Sequence, residues 1–403
     1  MDRILLHIDM NSYFASVEQQ ANPFLRGKAM VVSGKEDSRT VIVAASAEAK
    51  KMGIKTAMSV FEARKLCSRL IFVQPDPVKY AQITERFFEI FKKYAGEVEL
   101  FSIDEAFLDL TGLAVDFVQA VEIAKKIKTE LKNEVGEWIK CSIGISYNKL
   151  LAKLASDLKK PDGLFIIERE NKRQVLNQAK PEDICGIGPR LAARLENLGL
   201  DTLKKIEEAD EKIMRFEFGP HWGPRLKLLA SGELDEPVIS YYREESVKSA
   251  SASYTLPQNT FDKDYILKIL AQLIEKVCRR LRKNNLVGKT SMFFFRFDNF
   301  THWGESQTWP GYLADDLSFF EWSRGKIFDL NLDRAVRLVG FRVSNLIEGR
   351  GQPPLFPKER KRFLLAESLD KINDDFGEHS IHLGSMLGSP RLKKRAGGFK
   401  YEI

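Results

Sequence analysis

The sequence of 403 residues is poor in cysteine and has no long apolar run. Its cysteines are Cys67, Cys141, Cys185 and Cys278. They lie far apart and form no CxxC pair, which argues against a zinc site and favours a reducing compartment. No apolar segment approaches the roughly 18 residues of a membrane span, and the opening MDRILLHIDM does not resemble a signal peptide. We therefore expect a soluble, cytoplasmic protein.

Histidine is also scarce, with five residues, and charge of neither sign dominates. Lys and Arg number 63 against 56 acidic residues, which gives a net charge of +7 and a pI near 9.0. This mild excess fits a polyanionic partner but does not require one. The apolar fraction of 44% is sufficient for packed cores. A chain of this length is expected to hold more than one domain.

Hydrophobic periodicity divides the chain into three blocks. ILLHID (4–9) predicts a buried strand, followed by a helix that Ser12 caps. The later elements complete a split βαβ pattern that ends near Ile167. A small helical block then runs to about Leu234, and a second βαββαβ unit begins at Val247. We therefore predict an α+β protein of several domains, with a linker and tail after the second unit.

The stretch SIDEAF places Asp104 beside Glu105, and Asp9 ends the first strand. If 102–106 forms a turn, both acids lean toward one edge of the sheet. The hairpin that contains this turn can lie next to the first strand in a split βαβ sheet. The three carboxylates would then be close together and would repel one another unless cations lie between them. Such oxygen ligands suit Mg²⁺, and two ions about 4 Å apart would activate a hydroxyl and stabilise a leaving pyrophosphate. The alternative is two hairpin-turn acids and a helix cap.

DMNSYFASVE and SIDEAFLDLTG resemble the two metal-ligand motifs of the Y-family, translesion DNA polymerases. The order of the blocks is similar as well, over residues 1 to about 344. The resemblance implies a ferredoxin-like palm with inserted fingers, a helix-hairpin-helix thumb and a βαββαβ little finger. The implied boundaries are palm 1–10 and 78–167, fingers 11–77, thumb 168–234, little finger 242–344 and tail 345–403.

The same resemblance implies the metal ligands Asp9, Asp104 and Glu105, with the Met10 carbonyl as a fourth. It also implies two Mg²⁺ ions and template-directed transfer of a nucleotide onto a primer 3′-hydroxyl. The partners would be primer-template DNA and deoxynucleoside triphosphates. We expect a monomer with no membrane contact.

Several residues resemble the nucleotide-binding positions of the family. Phe14 aligns with the steric-gate aromatic that excludes a 2′-hydroxyl, and Tyr13 is the next candidate. Lys160 aligns with a triphosphate-binding lysine. The alternatives are a core phenylalanine for Phe14 and a solvated helix end for Lys160.

The fingers depart from the common pattern. Many members carry Thr, Tyr and Arg at three positions where this chain has Ala44, Ala47 and Lys50. Two polar triphosphate ligands are therefore missing, and the lysine ammonium, a point charge, replaces the bidentate guanidinium of arginine. We therefore expect weak nucleotide affinity. This AEAK form and the pair Asn11-Ser12 are similar to UmuC-type members, so the assignment between DNA polymerase IV (DinB) type and UmuC type stays open.

Candidate DNA contacts lie in two places. ICGIGPRLAARL resembles a helix-hairpin-helix, in which Gly186 and Gly188 let backbone N–H groups approach a phosphate, with Arg190 beside them. A plain glycine turn is the alternative. In the second βαββαβ unit, Lys289 and Arg296 flank the run FFF, whose rings we expect in the sheet core.

Gln352, Leu355 and Phe356 form a segment that resembles the bacterial QLxLF sliding-clamp peptide. Its prolines would hold the peptide extended and reduce the cost of ordering it. A proline-rich linker is the alternative.

The leading hypothesis is an error-prone DNA polymerase for damage tolerance and repair. A DNA-binding mutasome accessory with weak or lost polymerase activity is the alternative, which Ala44 and Ala47 favour and the acid triad opposes. A nucleotide cyclase on a similar palm is disfavoured by the helix-hairpin-helix and the clamp-like peptide.

Overall fold

The computed structural model describes residues 3–34, 39–243, 246–349, 357–377, 380–382 and 384–386. The chain forms two compact units, of which the first holds residues 3–34 and 40–243 and the second holds Arg39 and the described residues from 246 onward. Within these ranges, none of the helices combines the length and the hydropathy that a membrane span needs.

The strands of the first unit are β1 (Leu5–Met10), β2 (Met30–Ser33), β3 (Ile42–Ala45), β4 (Ile71–Val73), β5 (Glu97–Leu100), β6 (Glu105–Asp109), β7 (Cys141–Ser146) and β8 (Leu164–Ile167). Its helices are α1 (Tyr13–Ala21), α2 (Ala47–Lys51), α3 (Val60–Leu66), α4 (Pro77–Lys92), α5 (Phe117–Glu134), α6 (Lys149–Leu158), α7 (Arg169–Gln178), α8 (Pro189–Asn197), α9 (Leu203–Glu208) and α10 (Glu211–Ser231). Two 3₁₀ turns, Pro23–Leu25 and Pro181–Asp183, complete the unit.

A five-stranded sheet in the order β5-β6-β1-β7-β8 organises the first unit. Strand β1 is fully buried and pairs antiparallel with β6 on one side and β7 on the other. β5 pairs antiparallel with β6, so β7-β1-β6-β5 has the ferredoxin-like order, and β8 adds a parallel strand beside β7. The split βαβ pattern predicted from the sequence is confirmed.

The segment between β1 and α4 forms its own small sheet, in the order β3-β2-β4. Its core contains Val31, Ile42 and Ile54. The prediction that Ser12 caps α1 is wrong. Ser12 has a left-handed backbone (φ 49°, ψ 42°) and makes no side-chain capping bond, because the chain turns sharply there as it leaves β1.

Helices α7 to α10 follow β8 and share one hydrophobic core with α6, through residues such as Leu151 and Leu154. Gly186 has a φ of 105°, which favours glycine, and Gly188 is the N-cap of α8 with Pro189 at the first helical position. Helix α10 is kinked at Gly219. The domain boundaries expected within the first unit stay predictions.

The second unit contains β9 (Ser249–Thr260), β10 (Leu286–Phe297), β11 (His302–Leu313) and β12 (Val336–Glu348). Its helices are α11 (Lys263–Lys283), α12 (Asp316–Asp329) and α13 (Pro357–Phe376), followed by a 3₁₀ turn at Gly384–Met386. The sheet order is β11-β10-β12-β9, with every neighbouring pair antiparallel. Phe293 and Phe295 are fully buried in its core, as expected for the FFF run, whereas Phe294 is half-buried.

Helix α13 packs on the second unit through charged contacts. The Arg282 guanidinium donates to Asp370 at 2.6 Å and 2.9 Å and to Asp316 at 2.5 Å. Asp316 is buried, so these bonds hold α13 to α11 and α12 with little competition from water. The part of the predicted tail that forms α13 therefore packs on this unit.

Gly144 decides how closely α6 approaches the five-stranded sheet. A Cβ at this position would lie 2.0 Å from the Ala152 carbonyl oxygen and 2.3 Å from the Ser156 backbone nitrogen. Both obstacles are backbone atoms of α6, so they cannot move aside as a side chain would. The absence of a side chain at Gly144 lets α6 lie directly on β7.

We expect Gly144→Ala to lower the free energy of unfolding of the first unit by about 3 kcal/mol or more, because α6 must shift away from the sheet. Gly96→Ala is the matched control, since no atom lies within 4 Å of its added Cβ. Thermal and denaturant unfolding of both variants measure the difference. Equal stability of the two variants would contradict this account of the packing.

Candidate active site

Three carboxylates meet at one end of the five-stranded sheet. Asp9, near the end of β1, lies opposite Glu105, the first residue of β6. Asp104 directly precedes β6, and its carbonyl accepts a 2.9 Å hydrogen bond from the Met10 N–H. Residues 102–104 form a bend, so the strict alternation of side chains does not hold there, although the turn considered from the sequence extended to residue 106 and Glu105 and Ala106 belong to β6.

Electrostatic effects show that these acids interact. Burial, together with the charges of Glu105 and Asp104, raises the pKa of Asp9 to about 6 against the opposing charge of Lys160. Burial also raises the pKa of Asp104, although a 2.5 Å bond from Ser102 Oγ opposes this. The charge of Glu105 therefore makes both aspartates harder to ionise.

Lysines on and after α6 neutralise two of the acids. Lys160 Nζ lies 2.7 Å from Asp9 Oδ2, and Lys153 Nζ lies 2.6 Å from Glu105 Oε2. Burial alone would raise the pKa of Glu105, but His7 and Lys153 outweigh it and lower that pKa to about 2. The resting site thus contains an ionised Glu105 and a weakly acidic Asp9.

The donor set is that of a hard divalent cation, because all three side chains offer carboxylate oxygens. In the part of the chain that the structure describes, no three or more His, Cys, Asp or Glu side chains already converge as a metal site. Two of the three carboxylates are turned toward lysines instead. A cation would therefore have to compete with the ammonium groups.

His7 is a site residue that the sequence analysis missed. It is fully buried, its Nδ1 lies 2.8 Å from Ser156 Oγ, and its Nε2 lies 3.6 Å from Glu105 Oε2. Burial lowers its pKa to about 4, so the ring is neutral near pH 7. The signal was present, because His7 and Asp9 are two apart on one strand and share a face.

An aromatic wall stands beside the acids. The rings of Phe14 and Tyr80 are stacked, with centroids 4.3 Å apart and planes 19° apart. Tyr13 is buried, and its hydroxyl donates to the Tyr80 carbonyl at 2.7 Å and contacts Thr84 Oγ1 at 2.8 Å. Thr84 in turn donates to the Ile103 carbonyl, so the wall is joined to the bend that carries Asp104.

The buried carboxylate of Glu18 holds the ring of Tyr80 in place. Tyr80 donates its hydroxyl proton to Glu18 Oε1 at 2.8 Å, and Lys79 Nζ lies within 2.9 Å of both Glu18 oxygens. Tyr80 is fully buried, so its ring has little freedom to turn. Phe14 therefore rests on a rigid surface.

The residues that depart from the family pattern lie on β3 and α2. Ala44 is buried in β3, whereas Ala47 and Lys50 are exposed on α2. Burial lowers the pKa of the Lys50 ammonium, and the charge of Lys160 lowers it further, while Asp9 opposes both effects. Lys50 and Lys160 are thus close enough to interact beside the acids.

The candidate DNA contacts lie apart from the acids along the chain. Gly186, Gly188 and Arg190 are exposed at the start of α8. Lys289 and Arg296 are half-buried on β10 in the second unit, and Arg296 Nε donates to His302 Nε2 at 2.9 Å. The clamp-like residues Gln352, Leu355 and Phe356 lie outside the described residues.

Comparisons with known proteins agree with this fold. Residues 8–157 match the impB/mucB/samB family, and residues 247–355 match the C-terminal domain of that family. The DNA polymerase IV of Pelotomaculum thermopropionicum is 34% identical over 98% of this chain and 99% of its own length. DNA polymerase IV 1 of Bacillus subtilis is 31% identical over 100% of this chain and 97% of its own length.

Solved structures of DNA polymerases are also similar to this chain. A Y-family DNA polymerase chimera, Dbh-Dpo4(243-245)-Dbh, has a TM-score of 0.76 and 28% identity over 86% of this chain and 100% of its own. The insertion ternary complex of Dbh DNA polymerase has a TM-score of 0.58 and 27% identity, with the same shares covered. The fold is therefore that of the Y-family DNA polymerases, as the sequence motifs predicted. Within that class, the chain belongs to the impB/mucB/samB family.

Family membership implies a divalent metal, and the raised pKa of Asp9 predicts how the binding of that metal depends on pH. Because this pKa is about 6, Asp9 takes up a proton as the pH falls below that value. On the prediction that Asp9 is a metal ligand, the proton competes with the cation, so we expect metal affinity to fall by about tenfold per pH unit below about 6. Titration of the full chain with Mn²⁺ from pH 5 to 7.5 measures this. Asp109→Asn, at the far end of β6, should keep the dependence, and equal affinity at pH 5 and 7 would contradict the prediction.

Proposed function

We propose that this protein copies damaged DNA by two-metal nucleotidyl transfer, with Asp9, Asp104 and Glu105 as the metal ligands. Family membership and DNA polymerase IV relatives along the whole chain make it a DNA-directed DNA polymerase of the translesion class. The meeting of three carboxylates at the ends of β1 and β6 supports the assigned mechanism best. The relatives do not favour the accessory hypothesis.

In this mechanism, the three carboxylates and the Met10 carbonyl hold two Mg²⁺ ions. When bound, these ions activate the primer 3′-hydroxyl and neutralise charge on the leaving pyrophosphate. Lys160, whose ammonium pairs with Asp9, would bind the triphosphate. Lys50 supplies a second positive charge from α2.

Sugar selection falls to Phe14. Its ring is stacked on the buried Tyr80, so it cannot move aside for a 2′-hydroxyl and offers that oxygen no hydrogen-bond partner. The missing polar groups at Ala44 and Ala47 lead us to expect weak nucleotide affinity, with Lys50 and Lys160 as partial compensation. Tyr13 would support the gate from behind.

DNA contacts come from both units in this proposal. Backbone N–H groups near Gly186 and Gly188, with Arg190, would bind phosphate without reading sequence. Lys289 and Arg296 would add contacts from the second unit. We propose that the protein acts as a cytoplasmic monomer and binds a bacterial sliding clamp through Gln352, Leu355 and Phe356.

The metal assignment predicts that Asp104→Ala and Glu105→Ala each abolish primer extension, because the acids act on the cations and not on DNA. Primer-template binding should stay within about twofold of wild type, an energy change below about 0.5 kcal/mol. Extension and fluorescence-anisotropy assays measure the two effects. Asp109→Ala is the control on the same strand, and full activity in either site variant would exclude two-metal catalysis by these residues.

The gate assignment predicts that Phe14→Ala raises ribonucleotide incorporation relative to deoxynucleotide incorporation by at least about tenfold, or about 1.4 kcal/mol of lost discrimination. A methyl group cannot fill the volume of the ring. Single-nucleotide incorporation with paired ribo- and deoxynucleotides measures the ratio. Phe24→Ala, at a residue 82% exposed, is the control. An unchanged ratio in Phe14→Ala would move the gate to another residue, Tyr13 first.

The clamp assignment predicts that replacing Leu355 and Phe356 by Ala removes stimulation by a bacterial sliding clamp and leaves clamp-free synthesis unchanged. The reason is that these side chains would fill an apolar pocket on the clamp. Replacing Leu364 and Leu365, two exposed residues of α13, is the matched control. If the first double variant is stimulated like wild type, the segment is a linker.

A further inference from the structure

Asn11 has no role in the mechanism proposed above, yet both ends of its amide are bonded. Its Oδ1 accepts from the Asp162 N–H at 2.6 Å, and its Nδ2 donates to Ser142 Oγ at 3.0 Å. Its backbone N–H donates to the Lys140 carbonyl at 2.8 Å. Asn11 therefore joins the end of β1 to β7 and to the turn that contains Asp162.

That turn carries Lys160. It connects the end of α6 at Leu158 to the start of β8 at Leu164, and Asp162 within it has a left-handed φ of 55°. Lys128 holds the turn from the side of α5, where its Nζ donates to the Asp162 carbonyl at 2.6 Å and lies 2.7 Å from Oδ1 of the same residue. The turn is thus fixed between α5 and the end of β1.

We infer that Asn11 is a positioning residue that sets the reach of the Lys160 ammonium relative to the metal ligands, an inference that rests on the proposed function. A lysine side chain is flexible and acts as a point charge, so its aim depends on where its backbone is held. Asn11 follows Met10 directly in the chain. One side chain therefore links the strand end that carries Asp9 to the turn that carries Lys160.

The amide suits this place for two reasons. An oxygen acceptor and an N–H donor match one backbone N–H and one hydroxyl, which satisfies both groups where Ser142 is fully buried. An amide also adds no charge. A carboxylate here would add a fourth negative group beside Asp9, where the pKa of that residue is already raised by its neighbours.

The test uses the full chain, a primer-template and one deoxynucleoside triphosphate. Asn11→Ala should raise the nucleotide KM by about tenfold, with kcat and primer-template affinity within about twofold. In a Lys160→Ala background, the same change should have no further effect on KM, because the lysine it positions is gone. An unchanged KM in Asn11→Ala, or an equal rise in KM in both backgrounds, would overturn the inference.

Two further variants keep the result interpretable. Lys128→Met loosens the same turn from the other side, so it should raise KM in the same way if Asn11→Ala fails to fold, and an unchanged KM there would count against the inference. Lys132→Met, exposed one turn further along α5, is its control. A wild-type chain that extends no primer would refute the proposed function itself. A wild type that extends primers, with Lys160→Ala normal in KM, would refute the positioning role alone.

Discussion

Repulsion among Asp9, Asp104 and Glu105 is the constraint on which the architecture of the first unit depends. Strands β1 and β6 are adjacent, so their ends bring the acids together, and burial removes much of the water that would screen them. The resting chain meets this cost with ammonium groups on Lys153 and Lys160. Both belong to α6 or the turn after it, so the helix must lie close to the sheet. Gly144 allows that approach.

The same interactions give the acids unequal properties. Glu105 has a neutral histidine and a lysine beside it and stays ionised at low pH, whereas the pKa of Asp9 is raised to about 6. A divalent cation that enters would replace a lysine charge rather than fill a neutral pocket. Because charge is exchanged and not simply added, the fold tolerates the acids before the cation is bound.

The sequence predicted that the acids lie close together, because this prediction needs only the hydrophobic periodicity of the strands and their order in the sheet. A buried strand with Asp9 near its end and a hairpin whose second strand begins at Glu105 can be neighbours in a split βαβ sheet. Their lysine partners could not be predicted in the same way. Which face of α6 meets the sheet depends on the close approach at Gly144, and a glycine in a strand has several explanations.

The failed prediction at Ser12 has a similar cause. Serine before a helix favours a capping bond, but that bond requires an extended backbone at the capping residue. The chain leaves β1 in a tight turn, and the left-handed conformation of Ser12 points its side chain elsewhere. Local propensity was overridden by the route between β1 and α1. The fully buried His7 was missed although its spacing from Asp9 puts both residues on one face of β1, because a single histidine in an apolar strand does not reveal which residues it contacts.

Charge also links the residues of α2 that differ from the family pattern to the turn after α6. Burial and the charge of Lys160 lower the pKa of Lys50, and Asp9 partly offsets this effect. A metal-bound triphosphate carries both kinds of charge that the site requires, since its cations match the acids and its phosphates match the lysines. Lys160 would then pass from Asp9 to phosphate as the cation arrives. Such a transfer depends on a fixed origin for the lysine side chain, because a loosely held turn would let the ammonium stay with Asp9.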